Sequence, residues 1–380
     1  EDMKLSVQFG DASLVDSERE GNNLSNGTVR NPPLPIKAKA RFRGVSSLRD
    51  CKKRKSLRVN LNGKTKVRLA PGSSSDKFLL ISMCYDDRYV KTKLVLELAK
   101  QLGVFPHTAR YVRLLIENPL AVVGVDGKRN YENGGLYLLV DDQPSKLLRD
   151  NVRIGAVIRR RNDAKRETEP GKGTPDVKFP TSDDAFENRE LEISTREKYD
   201  DVARVAQTCA STSDRLNTNT SPRKTCYEQL DEVIDLQQYL RWTSLMTLVG
   251  SGDHVDESWF YASDELGDRV FSHELPEVKE LKHGNNSSRT VGLFSTKPAK
   301  ASWRFQMHAW DPDDAFQACH HGGRNALSDP YGLLVCAEGD VDKAFLGDAR
   351  LYRAFVDTLE WTVRSAITVE RVEQITRHML

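Results

Sequence analysis

The sequence predicts an α+β protein in two parts, a strand-rich first part with one main helix and a mostly helical second part bearing acidic clusters. Three observations carry this. Apolar and polar residues alternate at a period near two through most of the first part, a single stretch there switches to helical spacing, and wide apolar faces at helical spacing return only from Asp235 onward. The expected layout is an N-terminal part over residues 1–142 and a C-terminal part over 143–380, with polar insertions near 159–201, 207–224 and 264–300.

Met3 to Gly10 and Ile36 to Phe42 alternate as half-exposed strands do, across a Gly/Asn/Ser-rich loop. Ser56 to Leu61, Lys66 to Leu69 and Phe78 to Met83 continue the pattern, and Asn62-Gly63 is a hairpin signal that joins the first two of them. Tyr89 to Leu102 reads as a helix, with Val90, Leu94, Leu96, Leu98 and Leu102 among Lys and Glu and with Gly103 as its C-cap. Tyr111 to Glu117 and Gly135 to Val140 are two further strands. From Arg159 to about Asp201 the chain is charged and poor in large apolar residues, as a surface excursion is. Helix returns over Asp235 to Val249 and again where Leu351, Tyr352, Phe355, Val356, Leu359 and Val363 share a face.

The chain of 380 residues has 57 Lys and Arg against 55 Asp and Glu, a formal charge of +2, so its overall field does not argue for nucleic acid or a membrane surface as partner, and no nucleic-acid partner is expected. No stretch approaches the roughly 20 apolar residues of a membrane span. Six cysteines are scattered without a CxxC pair, which argues against a structural zinc cluster. Asn-X-Ser/Thr acceptors at Asn23, Asn26, Asn219, Asn285 and Asn286 sit in polar loop sequence and point to a secreted or secretory-pathway glycoprotein. A monomer is expected.

Two acidic strings stand out in the second part, Gly252-Asp253-His-Val-Asp256-Glu257-Ser258 and Trp310-Asp311-Pro-Asp313-Asp314-Ala-Phe316. Asp253 follows an apolar helix through Gly250-Ser-Gly252, and Asp311 follows the apolar stretch Phe305 to Trp310, so each carboxylate comes where a rigid element ends. Clustered carboxylates suit a hard divalent cation. Upstream, Arg41-Phe-Arg43-Gly44-Val-Ser46-Ser47 and Arg54-Lys55-Ser56-Leu57-Arg58 supply the positive charge a phosphate group needs.

In this order the strings resemble the spore-coat CotH family of atypical protein kinases. Arg43-Gly44-Val-Ser46-Ser47 is similar to the family's RGxSS string and Arg54 to Arg58 to its Lys-Lys-Ser-aromatic-Arg strand. Asp86, Lys91 and Leu94 match the opening of its helix, and Gly135 to Leu139 its Gly-Val/Leu-Tyr-Leu-Leu strand. Gly250-Ser-Gly-Asp253 with Trp259-Phe-Tyr261, and Trp310-Asp311-Pro-Asp313-x-x-Phe316, are similar to its two acidic motifs.

The resemblance implies a two-lobed protein-kinase-like fold that holds ATP between its lobes and transfers the γ-phosphate to Ser or Thr of a protein substrate with Mg²⁺ or Mn²⁺. It implies Asp253 as the catalytic aspartate, Asp311 as metal ligand and Asp313 as a second ligand or orienter. Lys55, or Arg54, would contact phosphates, with Arg43 and Ser47 beside them. Asp141 stands where the family has the acidic partner of the nucleotide lysine. Ser258 occupies the position of a metal-binding Asn. A neutral, shorter Ser258 in that place motivates the alternative, a catalytically weak pseudokinase acting as an adhesin or coat protein.

Overall fold

In a computed structural model the protein is α+β, with antiparallel sheets and several helices. The structure describes residues 3–7, 15–16, 36–43, 51–52, 54–61, 66–70, 73–104, 109–117, 131–141, 154–159, 176–178, 202, 204–210, 224–251, 259–263, 304–308, 312, 315–317, 332–334 and 340–379. It divides into two compact units. The first comprises Glu1–Glu97, His107–Arg149 and Pro312–Asp314; the second comprises Leu98–Pro106, Asp150–Asp311 and Ala315–Leu380.

The strands of the first unit are β1 (Met3–Val7), β2 (Val15–Asp16), β3 (Ile36–Phe42), β4 (Leu57–Leu61), β5 (Lys66–Ala70), β6 (Ser73–Ser75), β7 (Lys77–Ile81), β8 (Ala109–Glu117) and β9 (Tyr131–Asp141). Six of them form one sheet in the order β1-β3-β4-β7-β9-β8, antiparallel throughout. Because side chains alternate across a strand, one face collects Ala38, Ala40, Leu57, Val59, Leu61, Phe78, Leu80, Tyr137 and Leu139 into a buried cluster. The other face carries Leu79, Leu138 and Val140, all buried, and Tyr111.

The expected hairpin between Ser56–Leu61 and Lys66–Leu69 does not form. Both edges of β4 are taken by β3 and β7, and β5 pairs instead with β2 and β6 in a separate three-stranded sheet. Nonlocal strands whose apolar positions align with Leu57, Val59 and Leu61 outcompete the neighbour in sequence. The Asn62-Gly63 turn itself lies outside the described residues.

Helix α1 (Lys91–Gln101) is two residues shorter at its start than its apolar spacing suggests. Asp86 accepts the Thr92 amide at 3.2 Å, and Gly103 ends the helix at φ 67°. Its buried stripe is Val95, Leu98 and Ala99, continued by Leu102, the i, i+3, i+4, i+7 pattern. Lys93 bonds Glu97 at 3.0 Å one turn on and lies 5.8 Å from the Tyr111 ring. Tyr111 also donates to the Tyr89 carbonyl at 2.5 Å.

The second unit contains a four-stranded sheet in the order β11-β10-β12-β13: β10 (Ile154–Arg159), β11 (Asp176–Lys178), β12 (Trp259–Ser263) and β13 (Phe305–His308). Two strands therefore border or fall within the stretch read as a polar insertion, and residues 204–210 are helical. Its helices are α2 (Cys226–Val233), α3 (Leu236–Val249), α4 (Asp340–Gly347), α5 (Ala349–Trp361) and α6 (Val369–Met379), with a π turn at Thr362–Ala366. Caps are explicit. Thr225 and Glu228 make a capping box on α2, Asp235 caps α3, and Asp348 accepts from Arg350 and Leu351 at the start of α5.

α3 is the axis of this unit. Leu236, Leu240 and Leu245 on it are fully buried. Tyr239 meets Phe345 edge-on at 6.0 Å, and Phe345 stacks with Phe355 at 5.9 Å. Two disulfides join described residues, Cys51–Cys84 in the first unit and Cys209–Cys226 in the second. The second closes 17 residues of chain, a loop whose restriction in the unfolded state is worth about 3 kcal/mol. Replacing both Cys209 and Cys226 by Ser is expected to lower urea-unfolding stability by about that amount; an unchanged midpoint would mean the bond carries none of it.

Candidate functional site

The basic strings come together at one end of the six-stranded sheet. The Arg43 amide donates to the Ser56 carbonyl at 3.0 Å, joining the end of β3 to the start of β4. Ser56 Oγ accepts the Ser82 amide at 3.0 Å, which binds the start of β4 to the end of β7. Tyr137 Oη donates to the Lys55 carbonyl at 3.5 Å, a long bond that brings β9 to the same place. Burial pushes the Tyr137 hydroxyl up from its ordinary value, so it stays a donor.

Arg54 is held by the protein's own groups. Its guanidinium donates to the Leu136 carbonyl at 3.0 Å and the Ser82 carbonyl at 2.6 Å, and lies 4.9 Å from the Tyr89 ring centroid and 5.7 Å from that of Tyr137. The backbone conformation favours glycine at 135. Gly135 has φ +100°, and a Cβ there would stand 2.9 Å from Arg54 Nη1. Lys55, half-buried, instead carries its ammonium 5.6 Å from the Phe42 ring. Arg54 is thus built into the sheet end.

Asp141 is fully buried at the end of β9. On the ladder it stands level with Phe78, and Phe78 stands level with Val59. Lys55 lies just ahead of β4, and β7 stands between β4 and β9.

Ser47, Asp253, Ser258, Asp311 and Asp313 lie outside the described residues, but their flanks do not. α3 ends at Gly250, whose left-handed φ of 54° turns the chain. The amides of Phe316 and Gln317 donate to the carbonyls of Val249 and Gly250 at 2.6 and 3.1 Å. At the far side, Trp259 of β12 pairs with His308 of β13. The segment containing Asp253 and Ser258 and the segment containing Asp311 and Asp313 are therefore joined to each other at both ends. Phe316 itself takes φ 61°, unusual for a residue with a Cβ, at the point where the second segment rejoins α3.

β13 is in turn fixed to the start of α3. The Asp235 amide donates to the Phe305 carbonyl at 2.7 Å. The buried Gln238 amide group is used at both ends: Oε1 accepts from the Met307 amide at 2.5 Å, and Nε2 donates to the Gly103 carbonyl at 3.0 Å. Sequence reading missed Gln238 because a polar residue on a helix reads as solvent-facing. Among the described residues no group of three or more His, Cys, Asp and Glu could hold a metal ion, and no helix is long and apolar enough to cross a membrane.

The family model described as CotH kinase protein matches residues 40–379. The chain belongs to the CotH kinase family. No curated protein matches it. The match spans both the basic sheet end and the two joined acidic segments.

Gln238→Leu should remove an acceptor from the buried Met307 amide and a donor from Gly103, costing about 1–3 kcal/mol of stability for each polar group left unpaired. Thermal unfolding checks this; a melting point equal to wild type would show that these bonds do not hold β13 to α3.

Proposed function

We propose that this CotH family member, with a two-lobed protein-kinase-like fold, transfers the γ-phosphate of ATP to Ser or Thr of a protein substrate. The supporting observation is the double join between the segments bearing Asp253 and Asp311: Phe316 and Gln317 to Val249 and Gly250, and Trp259 to His308. Carboxylates carried on two segments with shared anchors meet what phosphoryl transfer asks of a protein, which is mainly positioning and charge.

Asp253 accepts the proton of the acceptor hydroxyl. The hydroxyl oxygen bonds the γ-phosphorus as the bond to the β–γ bridging oxygen breaks, and ADP leaves. Asp311 and Asp313 would hold Mg²⁺ or Mn²⁺, with Ser258 as a neutral third oxygen; an all-oxygen donor set fits a hard cation rather than zinc or copper. The metal, when bound, neutralises phosphate charge. Arg43, Ser47 and Lys55 hold phosphates. Arg54, engaged by the Leu136 and Ser82 carbonyls, fixes the backbone on which Lys55 sits. Asp141 stands where the family places the acidic partner of the nucleotide lysine.

The two disulfides support an oxidising compartment, and with the Asn-X-Ser/Thr sites a secreted or secretory-pathway, monomeric glycoprotein. A second reading rests on Ser258, because a serine hydroxyl is a weaker metal ligand than an Asn carbonyl. In that reading the chain binds Mn²⁺–ATP without transferring phosphate and serves as a surface binding protein.

Incubation with γ-labelled ATP, Mn²⁺ and Ser-rich protein substrates is expected to show transfer by wild type. Asp253→Ala should lose about 100-fold or more in rate while still binding nucleotide, and Asp311→Ala should lose Mn²⁺-dependent nucleotide binding. Transfer unchanged in both variants would refute the roles given to the two aspartates. Binding without transfer by wild type would select the second reading.

A further inference from the structure

The last turn of α3 is bordered by two other stretches of chain. Besides the bonds from Phe316 and Gln317 to Val249 and Gly250, Thr247 Oγ1 donates to the Leu333 carbonyl at 2.7 Å. α3 buries Leu240, Leu245, Met246 and Val249. Leu248 and Phe316 do the opposite, at 39% and 53% exposure. Leu248 is the residue before Val249, whose carbonyl accepts the Phe316 amide.

A single apolar side chain on a surface needs no explanation. Phe316 does, because it is disfavoured twice. Its φ of 61° lies in the left-handed region, where Gly or Asn is less strained than a bulky residue, and its ring is left half in water. The bonds to Val249 and Gly250 come from main-chain amides, which any residue but proline supplies. Neither backbone geometry nor burial in the free protein therefore favours phenylalanine at this position. Local rules broken in this way are expected where a ligand completes the packing.

Position points to the class of ligand. Asp253 follows Gly250 by three residues, and Asp313 precedes Phe316 by three. The ring thus borders the segment given the acceptor hydroxyl, whereas the residues given to phosphates lie on the sheet of the first unit. We infer that Phe316 and Leu248 receive a large apolar side chain of the protein substrate, close in sequence to the Ser or Thr that is phosphorylated. The inference rests on the proposed transfer to protein hydroxyls and deepens it, by giving the substrate a sequence preference.

The test uses two synthetic peptides with one Ser among Gly and Lys, one carrying Leu on either side of the Ser and the other Gln at the same places. Transfer from γ-labelled ATP with Mn²⁺ and calorimetric peptide binding are measured on the full chain. Wild type should prefer the Leu peptide by about tenfold in kcat/KM, the effect of burying one large apolar side chain, with the difference lying in KM. In Phe316→Asn the preference should fall to near parity, and in Phe316→Leu most of it should return. Leu248→Ser should show a smaller loss in the same direction. The ligand-free melting point of Phe316→Asn should hold or rise, because Asn accepts the left-handed φ; a merely structural role for the ring would lower it. Transfer by wild type without a Leu preference, or a preference kept in Phe316→Asn, overturns the inference and leaves the transferase reading standing. So does a fall in ATP affinity in place of peptide affinity, which would give the ring to the nucleotide base. If wild type transfers phosphate to neither peptide, tighter binding of the Leu peptide that is lost in Phe316→Asn leaves the apolar subsite standing and counts against the transferase reading; equal binding of the two peptides overturns the subsite.

Discussion

Two backbone hydrogen bonds, from Phe316 and Gln317 to Val249 and Gly250, are the constraint on which the functional account depends. They occur where α3 ends and where a strand-linked segment returns, so they use carbonyls that a helix C-terminus leaves without intrahelical partners. A helix end is thereby converted into an anchor. With the Trp259–His308 pair on the other side, two stretches distant in sequence acquire common boundaries. Gln238 extends the same constraint inward, because its amide group satisfies the Met307 amide and ties β13 to the helix that supplies Val249 and Gly250. The strained φ of Phe316 is the local cost of the arrangement.

The first unit obeys a different logic. Its sheet closes at one end through side chains that serve backbone groups: Ser56 to the Ser82 amide, Arg54 to the Leu136 and Ser82 carbonyls, Tyr137 to the Lys55 carbonyl. Strand ends expose such groups to water, and tying them down makes a rigid rim without a covering strand. The Cys51–Cys84 bond reinforces the same rim from the flanking segments. Phosphate-binding residues on this sheet would therefore be held still, which is the requirement for binding energy to be spent on geometry rather than on ordering side chains.

How far the sequence could be read follows from these interactions. The α+β class, the helix closed by Gly103 and the long helix ending at Val249 were visible, because each depends on local periodicity. The pairing of β4 with β7 rather than β5 was not, because it is decided by which apolar positions align across the sheet. Nor was α2, whose capping box at Thr225 follows directly on polar sequence. In the candidate site the strings themselves were legible, whereas the occupation of Arg54 by carbonyls and the opposition of Arg41 to Arg58 arise only once the register exists.

The join between the acidic segments is measurable without substrate or metal. Hydrogen–deuterium exchange of a peptide spanning Phe316 and Gln317 in the free protein should show both amides strongly protected, at a level comparable with the α3 amides that share the anchor. Exchange of these two amides at the rate of an unstructured chain would contradict the account, since the Asp253 and Asp311 segments would then have no common boundary at the end of α3.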